Sequence, residues 1–203
     1  MKKPYLIGIT GGSGSGKTTF IKELRVRCSE SQLCIISQDE YYKVREDQVE
    51  DLEGVKNFDL PSSIDNKAFI LDIKKLRRGE AVSRKEYTFN NKQKEASIIE
   101  YKPAKVIIVE GLFVFYNSQI KRMLDLKIFL QAKENLKVIR RIKRDRMERN
   151  YPLDDVLYRY ENHVMPTYQK YIEPFLPEAD LVVNNNVSFE KGLDVVTAFI
   201  LSH

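Results

Sequence analysis

The sequence predicts an α/β domain in which a parallel five-stranded sheet is flanked by helices. Three observations predict it. Five short apolar runs alternate with segments of helical spacing, the signature of strand–helix–strand units. The runs are apolar at consecutive positions, which suits strands covered on both faces. Five of the nine glycines, Gly8, Gly11, Gly12, Gly14 and Gly16, crowd around the end of the first run, where a strand must turn sharply into a helix.

The elements follow in order. Tyr5–Thr10 reads as a strand, and Thr18 to Leu24 has helical spacing after the glycine turn. Leu33–Ser37, Val106–Val109, Leu126–Leu130 and Leu181–Val183 supply the remaining strands, with helical patterns at 65–78, 117–124, 133–149, 154–171 and 188–201. The stretch between Ser37 and Val106 is too long for a simple crossover, so it holds an insertion. Asp65 is placed to cap a helix running to Leu76. Beyond it, Tyr87-Thr88-Phe89 and Ser97–Tyr101 flank the polar tip Asn90-Asn91-Lys92 and predict a projecting β-hairpin. The organisation expected is one domain over 1–203, with a hairpin insert over 80–101 and an arginine-bearing lid over 141–155.

Composition excludes several classes. No apolar stretch approaches the roughly 18 residues of a membrane helix, and no signal peptide with a cleavage site is evident. Cys28 and Cys34 make neither a disulfide framework nor a zinc pattern, and Cys34 lies in an apolar run as a buried thiol. A reduced, cytoplasmic protein is expected. The net charge of +5 suits nucleic acid or a small polyanion equally. The basic residues carry no aromatic stacking platform, so a small-molecule partner is expected, with no nucleic acid and no membrane.

Gly11-Gly12-Ser13-Gly14-Ser15-Gly16-Lys17-Thr18 fits the phosphate-loop pattern G-x-x-x-x-G-K-[ST], and it lies between a strand and a helix as that motif requires. Glycines let successive backbone N–H groups converge on one anion, and the helix N-terminus adds its dipole. Lys17 can reach the β- and γ-phosphates, and Thr18 can offer its hydroxyl to Mg²⁺, with Thr19 beside it in the first turn. ATP with Mg²⁺ is the expected cofactor, GTP the variant. Asp39, after the second strand, stands at the carboxyl ends where such sheets bind ligands; it can orient or deprotonate an attacking hydroxyl, touch the metal, or cap a following helix. Glu110 ends the third strand in a metal-serving position. On the basic helix, Arg141, Arg144 and Glu148 share one face, and arginines there can close over a transferring phosphate; Arg140 and Arg146 read as solvated charges. His163 lies in a helix with no partner apparent in the sequence.

The chain also resembles uridine–cytidine kinases. The resemblance rests on the phosphate loop, Ser37-Gln38-Asp39 with Tyr41-Tyr42, Asn57-Phe58-Asp59-Leu60-Pro61, Tyr87-Thr88-Phe89, Glu110-Gly111 with Phe115-Tyr116, and Arg140-Arg141-Ile142-Lys143-Arg144-Asp145, in that order along nearly the whole chain. It implies phosphorylation of the 5′-hydroxyl of uridine or cytidine in pyrimidine salvage. Asp39 would be the base, Asp59 would hold the ribose hydroxyls, and Tyr42, Phe58, Tyr87 and Phe89 would line the nucleoside pocket. Glu110 would serve magnesium, Arg141 and Arg144 would belong to the lid, and Arg149 would lie near the phosphates. The resemblance also implies a homo-oligomer, tetramer or dimer. Thr88 stands where the family has aspartate, Lys92 where it has a base-reading histidine, Tyr151 where the lid has a further arginine, and Arg159 where it has a glutamine on the base edge. A lysine and an arginine there would also suit an anionic acceptor, as in phosphoribulokinase-like enzymes; a non-enzymatic ATP switch is the remaining reading.

Overall fold

The computed structural model describes residues 3–88, 95–147 and 149–203. In chain order its elements are β1 (Tyr5–Thr10), α1 (Lys17–Arg27), β2 (Leu33–Ser37), α2 (Asn66–Arg77), β3 (Val82–Lys85), β4 (Ile98–Tyr101), β5 (Val106–Glu110), α3 (Ser118–Lys121), β6 (Leu126–Gln131), α4 (Glu134–Met147), α5 (Leu153–Arg159), α6 (Met165–Tyr171), β7 (Leu181–Asn184) and α7 (Glu190–Leu201). Five strands form one parallel sheet in the order β2-β5-β1-β6-β7. The chain leaves β1 on one side to reach β2 and β5 and returns on the other to β6. A ligand crevice belongs at that reversal, above the carboxyl ends of the strands.

The unbroken apolar runs are explained by two cores, one per face. Alternate residues of a strand point to opposite sides: Val106 and Ile108 join Ile7, Ile9, Phe20, Leu24, Val196 and Ile200 under α1 and α7. Ile107 and Val109 join Phe69, Ile73, Phe113, Phe129 and Tyr168 on the other face. Asp65 does cap α2, accepting a hydrogen bond from the Ala68 amide at 3.0 Å.

Four local predictions are corrected. The hairpin pairs β3 with β4 antiparallel, from Val82 opposite Tyr101 to Lys85 opposite Ile98. Its first strand thus precedes Tyr87-Thr88, which follow it as irregular chain, and Phe89 and Lys92 lie outside the described residues. β-propensity in the aromatic triplet lost to the packing of Val82 in the core. The basic helix ends at Met147, and Asn150 (φ 55°) turns left-handed beyond it, a conformation asparagine tolerates. The predicted helix 154–171 is α5 and α6 joined by a π turn at Tyr160–Val164. Pro166 supplies no N–H to continue the α ladder, and the widened turn absorbs that break. Finally, Ser118–Lys121 keeps only the middle of the helix predicted over 117–124.

Candidate active site

The phosphate loop leaves β1 and enters α1 through residues that only glycine accommodates. Gly14 and Gly16 have φ of 79° and 101°, in the region that L side chains avoid. A Cβ on Gly14 would lie 2.4 Å from the Lys137 carbonyl oxygen of α4, and one on Gly16 would lie 2.3 Å from Asn185 Nδ2. Asn185 in turn donates to the Ser15 carbonyl at 2.9 Å. The loop is therefore wedged between α4 and the turn after β7. Ser15 Oγ is buried with no hydrogen-bond partner among the described residues, and Lys17 Nζ folds back onto the Gly11 and Gly12 carbonyls at 2.7 and 3.2 Å. An orphaned hydroxyl, a lysine parked on its own loop and left-handed glycines form a cradle that fits the phosphates of a nucleotide.

Three ionisable groups share the floor. Ser37 and Glu110 are register partners across β2 and β5, and the Ser37 hydroxyl donates to Glu110. The same Ser37 oxygen accepts from the Asp39 amide at 3.2 Å, capping the 3₁₀ turn Gln38–Tyr41 that carries Asp39. Asp39 is thus in the first turn, capped rather than capping. Burial and the neighbouring Asp39 push the Glu110 carboxyl up. Burial raises Asp39 too, against the pull of Lys17, Arg144 and Arg149. Burial lowers the Lys17 ammonium, opposed by Glu110 and Asp39. Two desolvated carboxylates side by side are a place where added positive charge is welcome.

No group of three or more His, Cys, Asp or Glu side chains among the described residues could hold a metal ion by itself. That fits magnesium, which commonly takes one or two carboxylates and completes its shell with phosphate oxygens and water. Glu110, Asp39 and the exposed Thr18 hydroxyl are the groups available. Thr19 is exposed beside it.

The wall of the crevice facing the phosphate loop is built by the insertion. The Asn57 side chain accepts from the Asp59 amide at 2.9 Å, a local turn that presents Asp59 toward α4. Arg141 joins the two halves: its Nη1 donates to Ser13 Oγ in the phosphate loop at 2.9 Å and lies 3.7 Å from Asp59 Oδ1. Tyr42 gathers Tyr87 and Phe58, with ring centroids 5.4 and 6.4 Å away. Burial, then the nearby Asp39 and Asp59 carboxylates, push the Tyr42 hydroxyl well above its usual range, so it is a neutral donor here. A cavity of about 600 Å³ lined by Val44, Lys85, Glu86, Tyr87, Thr88 and Glu95 adjoins this cluster at the base of the hairpin. Arg159 Nη1 donates to the Lys56 carbonyl at 3.0 Å, and its guanidinium stands 5.9 Å from the Tyr151 ring.

Sequence reading missed several contributors. Asp145 is buried beneath Arg141, Arg144 and Arg149; its spacing four residues from Arg141 and from Arg149 was the available signal. Lys137 is 3% exposed, pairs with Glu134 at 2.7 Å and stands 3.4 Å over the Tyr168 ring against the phosphate loop. His163 has a partner after all, Asp51, at 2.6 Å, but 112 residues separate them and no local pattern could reveal it. Arg140 reaches the Asn185 carbonyl at 3.0 Å rather than open solvent.

A profile of the Phosphoribulokinase / Uridine kinase family matches residues 6–189. The chain belongs to that family. A protein named uridine kinase from Staphylococcus aureus (strain JH9) is 35% identical over 202 residues, covering 100% of this chain and 98% of its own. Among solved structures, D-glycerate 3-kinase from Cryptococcus neoformans var. grubii serotype A has a TM-score of 0.64 at 14% identity, covering 91% of this chain and 87% of its own. Phosphoribulokinase from Rhodobacter spheroides has a TM-score of 0.63 at 18% identity, with 91% and 71% covered; both likenesses concern the fold. The family member described here is a kinase with the P-loop fold, a transferase. No helix among its described residues is long and apolar enough to cross a membrane.

Proposed function

We propose that this kinase transfers the terminal phosphate of ATP, bound with Mg²⁺, to the 5′-hydroxyl of uridine or cytidine. The observation that carries the reading is Arg141, which spans Ser13 on the donor side and Asp59 on the acceptor side. A full-length relative named uridine kinase supports it. Asp39 orients the hydroxyl and takes its proton, Asp59 accepts from the ribose hydroxyls, and Tyr42, Phe58 and Tyr87 flank the base. Thr18, Glu110 and Asp39 hold the metal, which neutralises phosphate charge when bound. Lys17, Arg141, Arg144 and Arg149 stabilise the transferring group by position and charge, the main work of phosphoryl transfer. The hairpin over 80–101 serves as the acceptor lobe and the segment over 141–155 as the lid, and the kinase works in the cytoplasm.

An anionic acceptor has weaker support. Arg159, one of two cations that motivated it, spends a donor on the Lys56 carbonyl, and the adjoining cavity sets Glu86 and Glu95 against one lysine, Lys85. The test is ADP release with Mg·ATP and a panel of uridine, cytidine, their deoxy forms, adenosine and phosphorylated sugars. Turnover with uridine or cytidine, lost in Asp39→Asn while ATP binding persists, is the expected result. Turnover only with a phosphorylated sugar would replace the reading.

A further inference from the structure

The cations above the phosphate loop share one anion. Arg141 Nε lies 3.2 Å from Asp145 Oδ2, Arg144 Nε donates to Asp145 Oδ1 at 2.9 Å, and Arg149 Nη1 lies 3.3 Å from that same oxygen. The Asp145 side chain is 3% exposed, whereas those of Arg144 and Arg149 are 31% and 33% exposed. The carboxylate is therefore enclosed while the outer guanidiniums reach the open side. Local geometry makes this convergence. Asp145 follows Arg141 by one helical turn, so the two share a face. Beyond the helix, the left-handed Asn150 reverses the chain, and the Tyr151 amide donates to the Asp145 carbonyl at 3.1 Å. Arg149, four residues beyond Asp145, reaches the carboxylate from the other direction along the chain.

Placement gives the arrangement a purpose. Among the described residues the three guanidiniums converge on one enclosed carboxylate beside the phosphate loop, with Asp59 also 3.7 Å from Arg141 Nη1, and a guanidinium positioned by a carboxylate keeps further donors for a phosphate. Arg141 meets Asp145 as an ion pair without a hydrogen bond, its Nε having no hydrogen-bonding partner among the described residues, while its Nη1 is aimed at Ser13 of the loop. Helix stabilisation alone would need one arginine, not three, and would not require the carboxylate to be enclosed.

We propose that Asp145 is a positioning residue whose carboxylate holds Arg141, Arg144 and Arg149 in the orientation that meets the terminal phosphate of a bound nucleoside triphosphate. This deepens the phosphoryl-transfer reading of the site and rests on it. The group that distinguishes ATP from ADP is the γ-phosphate. Its contacts include those Asp145 controls, whereas the loop N–H groups serve the phosphates that both nucleotides share and Lys17 reaches the β- and γ-phosphates alike.

The test compares wild type, Asp145→Asn and Asp145→Glu by calorimetric binding of Mg·ATP and Mg·ADP, with thermal melting alongside. Asp145→Asn is expected to keep ADP affinity and to lose on the order of tenfold in ATP affinity, as loss of charge-assisted contacts implies. The uridine-dependent kcat should fall at least as much, with the acceptor KM little changed. Equal losses for ATP and ADP, or none for either, would overturn the proposal, since a purely structural role has no reason to single out the γ-phosphate. Should Asp145→Asn fail to fold, Asp145→Glu decides. It keeps the charge but displaces it by a methylene, so a drop in the ATP-to-ADP affinity ratio of roughly threefold or more is expected, and an unchanged ratio overturns the idea. Wild-type enzyme that binds ATP but turns over neither uridine nor cytidine would sink the nucleoside reading alone, leaving the ATP-to-ADP comparison to judge Asp145.

Discussion

Ser37 shows how much one hydroxyl can organise. It donates to Glu110 and caps the turn bearing Asp39, so it links both carboxylates on the floor of the crevice. Its donation holds Glu110 down against burial and Asp39, which push the carboxyl up. Ser37→Ala removes that restraint. Since a hydrogen bond to a charged group contributes about 1.5–3 kcal/mol and one pKa unit is about 1.4 kcal/mol, the acid limb of kcat/KM should move upward by roughly one to two units. Part of the activity lost near neutrality should return as pH rises; a pH–rate profile checks this, and an unmoved limb counts against it. Lys17 offers a cleaner separation of fold from function. Among the described residues its ammonium hydrogen-bonds only to loop carbonyls, so Lys17→Met should melt close to wild type. Turnover should nonetheless fall roughly 10²–10³-fold, the usual loss when one preorganised donor to the reacting group is removed. Steady-state kinetics and a melting curve together decide it. Cys34 is inert by burial, which pushes its thiol up to about 11; thiol reagents should label it only after denaturation.

At the scale of elements, helices α5 and α6 are latched to the loop that leads to Asp59. Tyr158 OH donates to Asp51 Oδ2 at 2.8 Å, His163 Nε2 meets the same oxygen at 2.6 Å, and Arg159 holds Lys56. Burial alone would raise the Asp51 carboxyl. Hydrogen bonds from His163, the Val55 amide, Tyr158 and the Glu53 amide outweigh it and hold it at about 2. The sign follows from a depressed carboxyl: the latch contributes fully above the unfolded value of about 3.9, and its contribution is lost as pH falls through about 2. Asp51→Ala should therefore loosen the 45–57 loop at neutral pH, as faster amide exchange there than in wild type, and should flatten the acid end of the stability curve. Unchanged exchange in that loop would remove the latch from the account. The π turn belongs to the same argument, because His163 and its buried neighbours lie on it.

For the whole molecule, the two-faced core sets stability while the crevice sets chemistry, and the two can be perturbed separately. Phe69 of α2 is fully buried in the core on the acceptor-side face. Phe69→Ala should cost about 3–5 kcal/mol, read by urea denaturation, while the affinity of the folded fraction for ATP stays near wild type because the phosphate loop hangs from β1 and α1. A large change in that affinity would mean the faces are coupled more tightly than the packing indicates. The parallel order β2-β5-β1-β6-β7 brings Asp39, Glu110 and the loop to one end of the sheet, although 71 residues of chain separate the two carboxylates (110 − 39).

The sequence by itself determined the strands, the phosphate loop and the α2 cap. Apolar runs, clustered glycines and a capping aspartate are local signals whose meaning hardly depends on distant residues. It placed the first hairpin strand too late, because β-propensity is weak wherever packing decides the pairing. Tertiary structure alone decided that Ser37 would sit across from Glu110, that His163 would find Asp51, and that Arg141 would reach both Ser13 and Asp59. Those contacts join segments 73, 112, 128 and 82 residues apart (the last 141 − 59). Charge and hydrogen-bonding groups act over a few ångströms, so their partners are chosen by the sheet order and helix packing that bring the segments together.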